Sequence, residues 1–194
     1  MKNLGLIFLS ASLVNNLILV RFLGLGTFFN ITLRISVAFK TSMTMVMVML
    51  VSSWVCWLFF YLVLTPLGAD YFKIPASIVI SAAVVQIAMH YIKKHQPVLI
   101  NLLGNYLPMF LANCAVIGVV LLNINNKYDL LQSTFFALGN GVGGSLAILA
   151  FSALRKKLEL APVPASFKGY PIEFIAASLM SLAFMGFYGL MGLV

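Results

Sequence analysis

The stretch YLPMFLANCAVIGVV, residues 106–120, decides how this chain folds. It is as apolar as a membrane span, yet it holds Pro108, Asn113 and Cys114. In hydrocarbon an unsatisfied amide or backbone group costs several kcal/mol, so such residues are normally shielded by protein. Asn113-Cys114 is therefore a candidate site. The alternative is a packing cysteine beside an asparagine that bonds a neighbouring helix.

The composition of the whole chain is that of an integral membrane protein. Of the 194 residues, 62% are hydrophobic and 8% are charged, whereas a soluble domain is about 25% charged. At roughly 20 residues per crossing, the length allows about six helices in one domain, residues 1–194. The net charge of +8 is spread through the loops between apolar spans. That placement is typical of membrane topology and argues against nucleic acid as a partner.

Hydropathy predicts six spans, at about residues 4–25, 41–65, 75–92, 98–123, 130–154 and 171–194. Most basic residues fall in the loops after spans one, three and five, and few fall on the other side. The first group is Arg34, Lys40, Lys93, Lys94, Arg155, Lys156, Lys157 and Lys168, and the second is Lys2, Lys73 and Lys127. This excess predicts a cytoplasmic first group and both termini outside. Arg21 is expected near the cytoplasmic end of span one, where its side chain can reach the interface.

An odd number of spans in each half implies two inverted repeats, about residues 1–95 and 96–194. Span one carries Asn15-Asn16 and Gly24, and span four carries Pro108 and Asn113-Cys114. Each half thus opens with a broken, amide-bearing span, a pattern that indicates a midplane site. The predicted fold is an all-α polytopic membrane protein, with six transmembrane helices in two inverted three-helix repeats and with spans one and four broken.

Other candidate chemistry is sparse. The glycine-rich segment at residues 139–144 lies inside a span without a preceding strand, so it indicates close helix packing and not a phosphate loop. Glu173 stands near the start of span six, where a helix N-terminus favours an anion. No span carries a carboxylate near its middle, which disfavours a stand-alone proton-coupled transporter. Cys56 is predicted to be a small packing residue.

Several segments resemble the membrane subunits of the Rnf electron-transport family, the A subunit most of all. They include Leu13-Val14-Asn15-Asn16, Arg21-Phe22-Leu23-Gly24-Leu25, Leu107-Pro108, Asn113-Cys114-Ala115-Val116, Leu131-Gln132-Ser133 and Phe167-Lys168-Gly169. The same family includes the D and E subunits of the sodium-translocating NADH:quinone oxidoreductase. The resemblance spans almost the whole chain.

The resemblance implies a subunit of a bacterial inner-membrane complex that couples electron flow between ferredoxin and NAD to Na⁺ or H⁺ translocation. In that family the A and E subunits are similar and opposite in orientation, and their cysteines hold a shared 2Fe–2S cluster midway across the bilayer. Cys114 would then be an iron ligand and the homologous E subunit its partner. Asn15, Asn16 and Asn113 would bond backbone groups freed at the breaks and tune the site.

The first ligand position departs from this family. The family motif reads Phe-Leu-Gly-Leu-Cys, whereas this chain reads Phe22-Leu23-Gly24-Leu25-Gly26. Glycine has no side chain to coordinate iron, so Gly26 leaves three options: a cluster with a non-thiolate fourth ligand, a lost cluster, or an engineered change. Two rival functions stay open beside electron transfer. One is a transporter or channel subunit without a redox role, and the other is a structural assembly subunit that has lost its cluster.

Overall fold

The computed structural model describes residues 3–24, 29, 35–95 and 114–188, and every regular element in these ranges is helical. The six α-helices within these ranges are α1 (Leu4–Leu9), α2 (Ile35–Phe59), α3 (Lys73–His95), α4 (Cys114–Asn125), α5 (Leu130–Leu160) and α6 (Tyr170–Met185). Helix α1 continues as a π-helical turn over Ser10–Val14, and α2 continues as one over Phe60–Leu64. The predicted six-helix, all-α architecture is confirmed. The inverted repeat stays a prediction.

Three helices of the described chain are long and apolar enough to cross a membrane. They are Ala38–Leu64, Lys73–Tyr91 and Leu130–Leu160, with 27, 19 and 31 residues. Leu4–Val14, Cys114–Asn125 and Tyr170–Met185 are apolar but shorter. Large apolar side chains such as Leu62, Val79 and Ile87 point outward and are exposed on the surface of the chain. An outer surface of this kind suits a protein surrounded by lipid, because lipid tails and apolar side chains mix without cost.

Helices α2 and α5 form the centre of the molecule. A Cβ atom on Gly141 of α5 would lie 3.1 Å from Val46 Cγ2 of α2. Farther along, Ser53 Oγ of α2 lies 2.8 Å from Ser133 Oγ of α5. Since the later residue of α2 meets the earlier residue of α5, the two helices run antiparallel. The fully buried side chains between and around them include Met45, Met49, Ile148 and Phe151.

This antiparallel arrangement gathers basic residues at one end of the molecule. Lys40 lies near the start of α2, and Arg155, Lys156 and Lys157 lie near the end of α5. Both stretches belong to the group that the sequence predicts to be cytoplasmic. The opposite end is formed by the start of α1, the end of α4 and the start of α5.

Candidate functional site

The first helix stops after Val14, and the chain does not continue as a helix. The N–H of Asn15 donates to the carbonyl of Ser10 at 2.7 Å, which closes the π-helical turn. Beyond it the chain forms turns, and the N–H of Leu23 donates to the carbonyl of Leu17 at 2.9 Å. Gly24 is buried here with φ 89°, a conformation that glycine adopts without steric cost. The predicted break in span one is confirmed.

One buried amide satisfies the backbone at this break. The side chain of Asn16 is 0% exposed. Its Oδ1 accepts hydrogen bonds from the N–H groups of Ile18 and Leu19, at 3.0 and 3.3 Å. Its Nδ2 donates to the carbonyl of Gly143 at 2.8 Å and to that of Ser12 at 3.4 Å. Backbone groups that the interrupted helix would otherwise leave unpaired in an apolar interior are therefore bonded.

The neighbouring Asn15 faces a different environment. Its side chain is half-buried, and its Nδ2 donates to Ser10 Oγ at 3.1 Å. Asn15 and Ser10 line a cavity of about 390 Å³ at the end of the molecule where α1 begins. The two adjacent asparagines thus serve two sides of the break, one toward α5 and one toward this cavity.

The prediction that Arg21 lies near the cytoplasmic end of span one is wrong. Arg21 lines the same cavity as Asn3 and Asn126. Both asparagines lie at the end of the molecule opposite to the basic residues of α2 and α5. The reason is the break itself. The chain turns after Asn16 and runs back toward the start of α1, whereas an uninterrupted helix would have carried Arg21 to the far side.

Helix α5 approaches the break through glycines. A Cβ atom on Gly139 would lie 2.7 Å from the carbonyl oxygen of Phe8. A Cβ atom on Gly143 would overlap the carbonyl oxygen of Ser12 and lie 2.8 Å from its Cα. Backbones approach this closely only where a side chain is missing. Close helix packing by residues 139–144 is therefore confirmed, and it brings the Gly143 carbonyl within reach of Asn16.

Helix α4 packs against the residues that follow Asn16 in the break. A Cβ atom on Gly118 would lie 2.8 Å from Leu23 Cδ1. Residues four apart share a helix face, so Gly118 and Cys114 lie on the same side of α4. Leu23 comes shortly before Gly26 in the sequence. The segment that leads to Gly26 therefore meets α4 one turn away from Cys114.

The two cysteines occupy different environments. Cys114 is the first described residue of α4 and is exposed. Cys56 is buried, and its Sγ lies 3.8 Å from Ser81 Oγ of α3. This position confirms the prediction that Cys56 is a packing residue. Within the described ranges, histidine, cysteine and acidic residues form no group of three or more that could hold a metal ion.

Three of the predicted site residues have no described position. Gly26, Pro108 and Asn113 lie outside the described residues, so the predicted ligand position of span one and the predicted break in span four stay predictions.

Sequence reasoning missed an ion pair between α5 and α6. Arg155 Nη2 lies 2.6 Å from Glu173 Oε1, and the two side chains are 13% and 8% exposed. Arg155 also donates through Nη1 to the carbonyl of Phe29, whose ring packs edge-to-face on Phe151. Glu173 lies in the first turn of α6, as predicted. The available signal for the pair was the opposite charge of two residues that flank the short α5–α6 connection.

Comparison with known proteins places this architecture in a family. Residues 4–191 match the family described as Rnf-Nqr subunit, membrane protein. The chain is 47% identical over 190 residues to a protein of Syntrophotalea carbinolica, with 98% of each chain covered. It is 43% identical over 190 residues to one of Pectobacterium atrosepticum, again with 98% of each covered. It is 43% identical over 188 residues to one of Escherichia coli O1:K1, with 97% of each covered. All three relatives carry the name of the A subunit of an ion-translocating oxidoreductase complex. The chain belongs to the Rnf-Nqr family of membrane subunits.

Proposed function

We propose that this chain is a membrane subunit of an ion-translocating oxidoreductase complex. In this proposal it carries electrons across the bilayer at a 2Fe–2S site shared with a homologous E-type subunit, and the complex couples this transfer to Na⁺ or H⁺ translocation. Family membership and the names of the relatives support the complex. The observation that carries the electron-transfer part is the contact of Leu23 with Gly118, because it brings the segment before Gly26 to the helix of Cys114.

The donor set fits a cluster held between two chains and does not fit one held by this chain alone. Cys114 is exposed, so its sulfur atom is accessible to a group shared with a partner. Cys56 is buried against Ser81, and glycine at position 26 offers no ligand atom. A 2Fe–2S cluster held by cysteine thiolates supplies one-electron redox chemistry. This chain would contribute Cys114 to it.

The residues around Cys114 have the task of holding its helix in place and keeping water out. Ala115 and Val116, which follow Cys114, are 0% and 2% exposed. Asn16 fixes the turn that ends in Leu23, and Leu23 in turn packs on α4. A supporting shell of this kind tunes a metal site without contacting the metal. We assign this indirect role to Asn16, and to Asn113 as the residue before Cys114.

The proposed location is the bacterial inner membrane with both termini on the periplasmic side. The excess of basic residues at the end of the molecule where α2 begins and α5 ends supports this orientation. Two lysines test it, Lys94 on the proposed cytoplasmic side and Lys127 on the proposed periplasmic side. A membrane-impermeant thiol reagent added to whole cells should label Lys127→Cys and spare Lys94→Cys. The reverse pattern would invert the orientation.

A structural assembly subunit that has lost its cluster is the second candidate, and glycine at position 26 favours it. The two candidates differ in iron content. We expect low-temperature EPR of the detergent-purified complex to show a 2Fe–2S signal that Cys114→Ser abolishes. Cys56→Ser is the matched control, and it should leave both the signal and the iron content unchanged because Cys56 packs between α2 and α3.

A Gly26→Cys variant separates the remaining outcomes. If the unmodified complex has no cluster signal and Gly26→Cys creates one, the natural chain is a scaffold and the electron-transfer proposal is wrong. If neither complex binds iron at this site, the electron-transfer proposal is wrong as well, and a structural role or a non-redox transport role takes its place.

A further inference from the structure

The cavity at the start of α1 adjoins the break on the side away from the Asn16–Gly143 contact. Six of the residues that line it carry polar side chains: Arg21, Asn3, Asn15, Asn126, Ser10 and Tyr128. Leu6, Leu122 and Phe136 contribute an apolar wall. With a volume of about 390 Å³, the cavity is large enough for a ligand much larger than a few water molecules.

The positive charge of Arg21 in this lining favours an anionic ligand. Arg21 is the charged residue among the lining residues, and no carboxylate lines the cavity within the described chain. The amides and hydroxyls around Arg21 add further hydrogen-bond donors. A planar guanidinium with neighbouring donors is the arrangement that suits phosphate oxygens, which it binds through two parallel hydrogen bonds.

The backbone on both sides of the cavity is held in an unusual conformation. Phe22, with φ 55°, and Lys127, with φ 51°, are the non-glycine residues with positive φ in the described chain. Phe22 follows Arg21, and Lys127 stands between Asn126 and Tyr128. At Lys127 this conformation ends helix α4, because the N–H of Tyr128 donates to the carbonyl of Asn123 at 3.2 Å and the N–H of Lys127 to that of Ile124 at 3.1 Å. Phe22 has no such helix end before it, and non-glycine residues with positive φ are uncommon. Both occurrences flank this one cavity.

Aromatic residues beside the cavity are of the kind found at the level of lipid headgroups. Tyr128 lines it, and the carbonyl of Tyr128 accepts a hydrogen bond from Trp57 Nε1 at 3.0 Å. The ring of Trp57 packs against that of Tyr61, with ring centroids 4.5 Å apart. Tryptophan and tyrosine are enriched where hydrocarbon meets the headgroups.

We propose that this cavity is a phospholipid-binding site, in which Arg21 binds the headgroup phosphate and the apolar wall holds the first carbons of the chains. A free phosphate ester shares the headgroup chemistry but makes no use of the apolar wall. Competition between the two ligands therefore identifies the source of the phosphate.

The experiment labels the detergent-purified complex with a photoactivatable phosphatidylglycerol and maps the label on this chain by mass spectrometry. We expect label on peptides that contain residues 3–21 or 122–136. Arg21→Gln should lower it by about tenfold, the weight of one charge-assisted hydrogen bond. Arg21→Lys should restore part of the labelling, because an ammonium keeps the charge but lacks the planar fork. Lys73→Gln is the matched control: it removes a cation that does not line the cavity, so labelling should stay unchanged.

Competition on the unmodified complex completes the test and does not depend on any variant. Unlabelled phosphatidylglycerol should displace the label, and millimolar inorganic phosphate should not. Equal labelling of the Arg21→Gln and unmodified complexes would overturn the proposal. Displacement by inorganic phosphate would overturn it as well, because the site would then take free phosphate and not lipid.

Discussion

Two regions of the molecule solve the same problem differently. Backbone N–H and C=O groups inside a bilayer must be bonded within the protein. Helices α2 and α5 meet this need along their own length by regular helical bonding. Between Ser10 and Gly24 the helix is interrupted, and side chains replace the missing bonds. Asn16 bonds two N–H groups and two carbonyls, and Ser181 of α6 donates to the carbonyl of Leu19 at 2.6 Å.

This difference teaches where a single side chain matters. In a regular membrane helix, a buried polar side chain adds one bond to a backbone that is already satisfied. At the break, the side chain is itself the partner of the backbone, so its removal leaves several groups unpaired. Substitutions of the same chemical kind should therefore cost more at the break than in α5 or α6.

The largest effect is expected for Asn16→Ala. The change leaves the N–H groups of Ile18 and Leu19 without their acceptor and removes the link to the Gly143 carbonyl of α5, and we expect a loss of about 3 kcal/mol in the free energy of unfolding. Unfolding of the full chain by SDS in mixed micelles, followed by circular dichroism, measures it.

Asn140→Ala is the matched control in α5. Asn140 is as buried as Asn16, but among the described residues its Nδ2 donates only to the carbonyl of Phe136 in its own helix, and its Oδ1 finds no partner there. We expect a loss below about 1 kcal/mol. Equal losses for the two alanine variants would show that the break does not depend on Asn16.

A smaller effect is expected for Gly143→Ala, which tests how α5 reaches the break. The new Cβ would overlap the backbone of Ser12, so α1 and α5 must separate, and we expect a loss of about 2 kcal/mol. Gly5→Ala in α1 is the control, because a Cβ at Gly5 meets nothing within 4 Å. It should raise the stability by about 0.5 kcal/mol through helix propensity. The same unfolding titration compares the two, and a neutral Gly143→Ala would exclude close backbone contact.

The two regions also differ in how far the sequence predicts them. The apolar length of the regular helices predicts α2, α3 and α5 directly, since a helix that crosses a bilayer needs about 20 apolar residues. The amides in span one predict that the span is interrupted. They do not predict the direction the chain takes afterwards, and for that reason the sequence predicts the wrong end for Arg21. A hydropathy pattern carries no information about a reversal of direction.

The second limit on prediction from the sequence is the pairing of side chains that lie far apart in the chain. Asn16 bonds Gly143 because glycines let α1 and α5 approach each other closely. The glycine-rich segment predicts close packing, but it does not predict which helix is contacted. The pair of Arg155 and Glu173 depends in the same way on how the ends of α5 and α6 are placed. Patterns within one helix are visible in a sequence, whereas pairs between helices require the packing.

The smallest effect is expected on α6, where two serines provide the comparison within one helix. Ser181 Oγ donates to the carbonyl of Leu19 at the break, whereas Ser178 Oγ donates at 2.8 Å to the carbonyl of Phe174 in its own helix and is exposed. Ser181→Ala should lower the free energy of unfolding by about 1 kcal/mol, and Ser178→Ala should change it by less than about 0.3 kcal/mol. A pair of SDS titrations measures both. In an Asn16→Ala background the loss from Ser181→Ala should shrink, because the turn that presents the Leu19 carbonyl is no longer fixed. Strictly additive losses would mean that Asn16 and Ser181 stabilise the break independently.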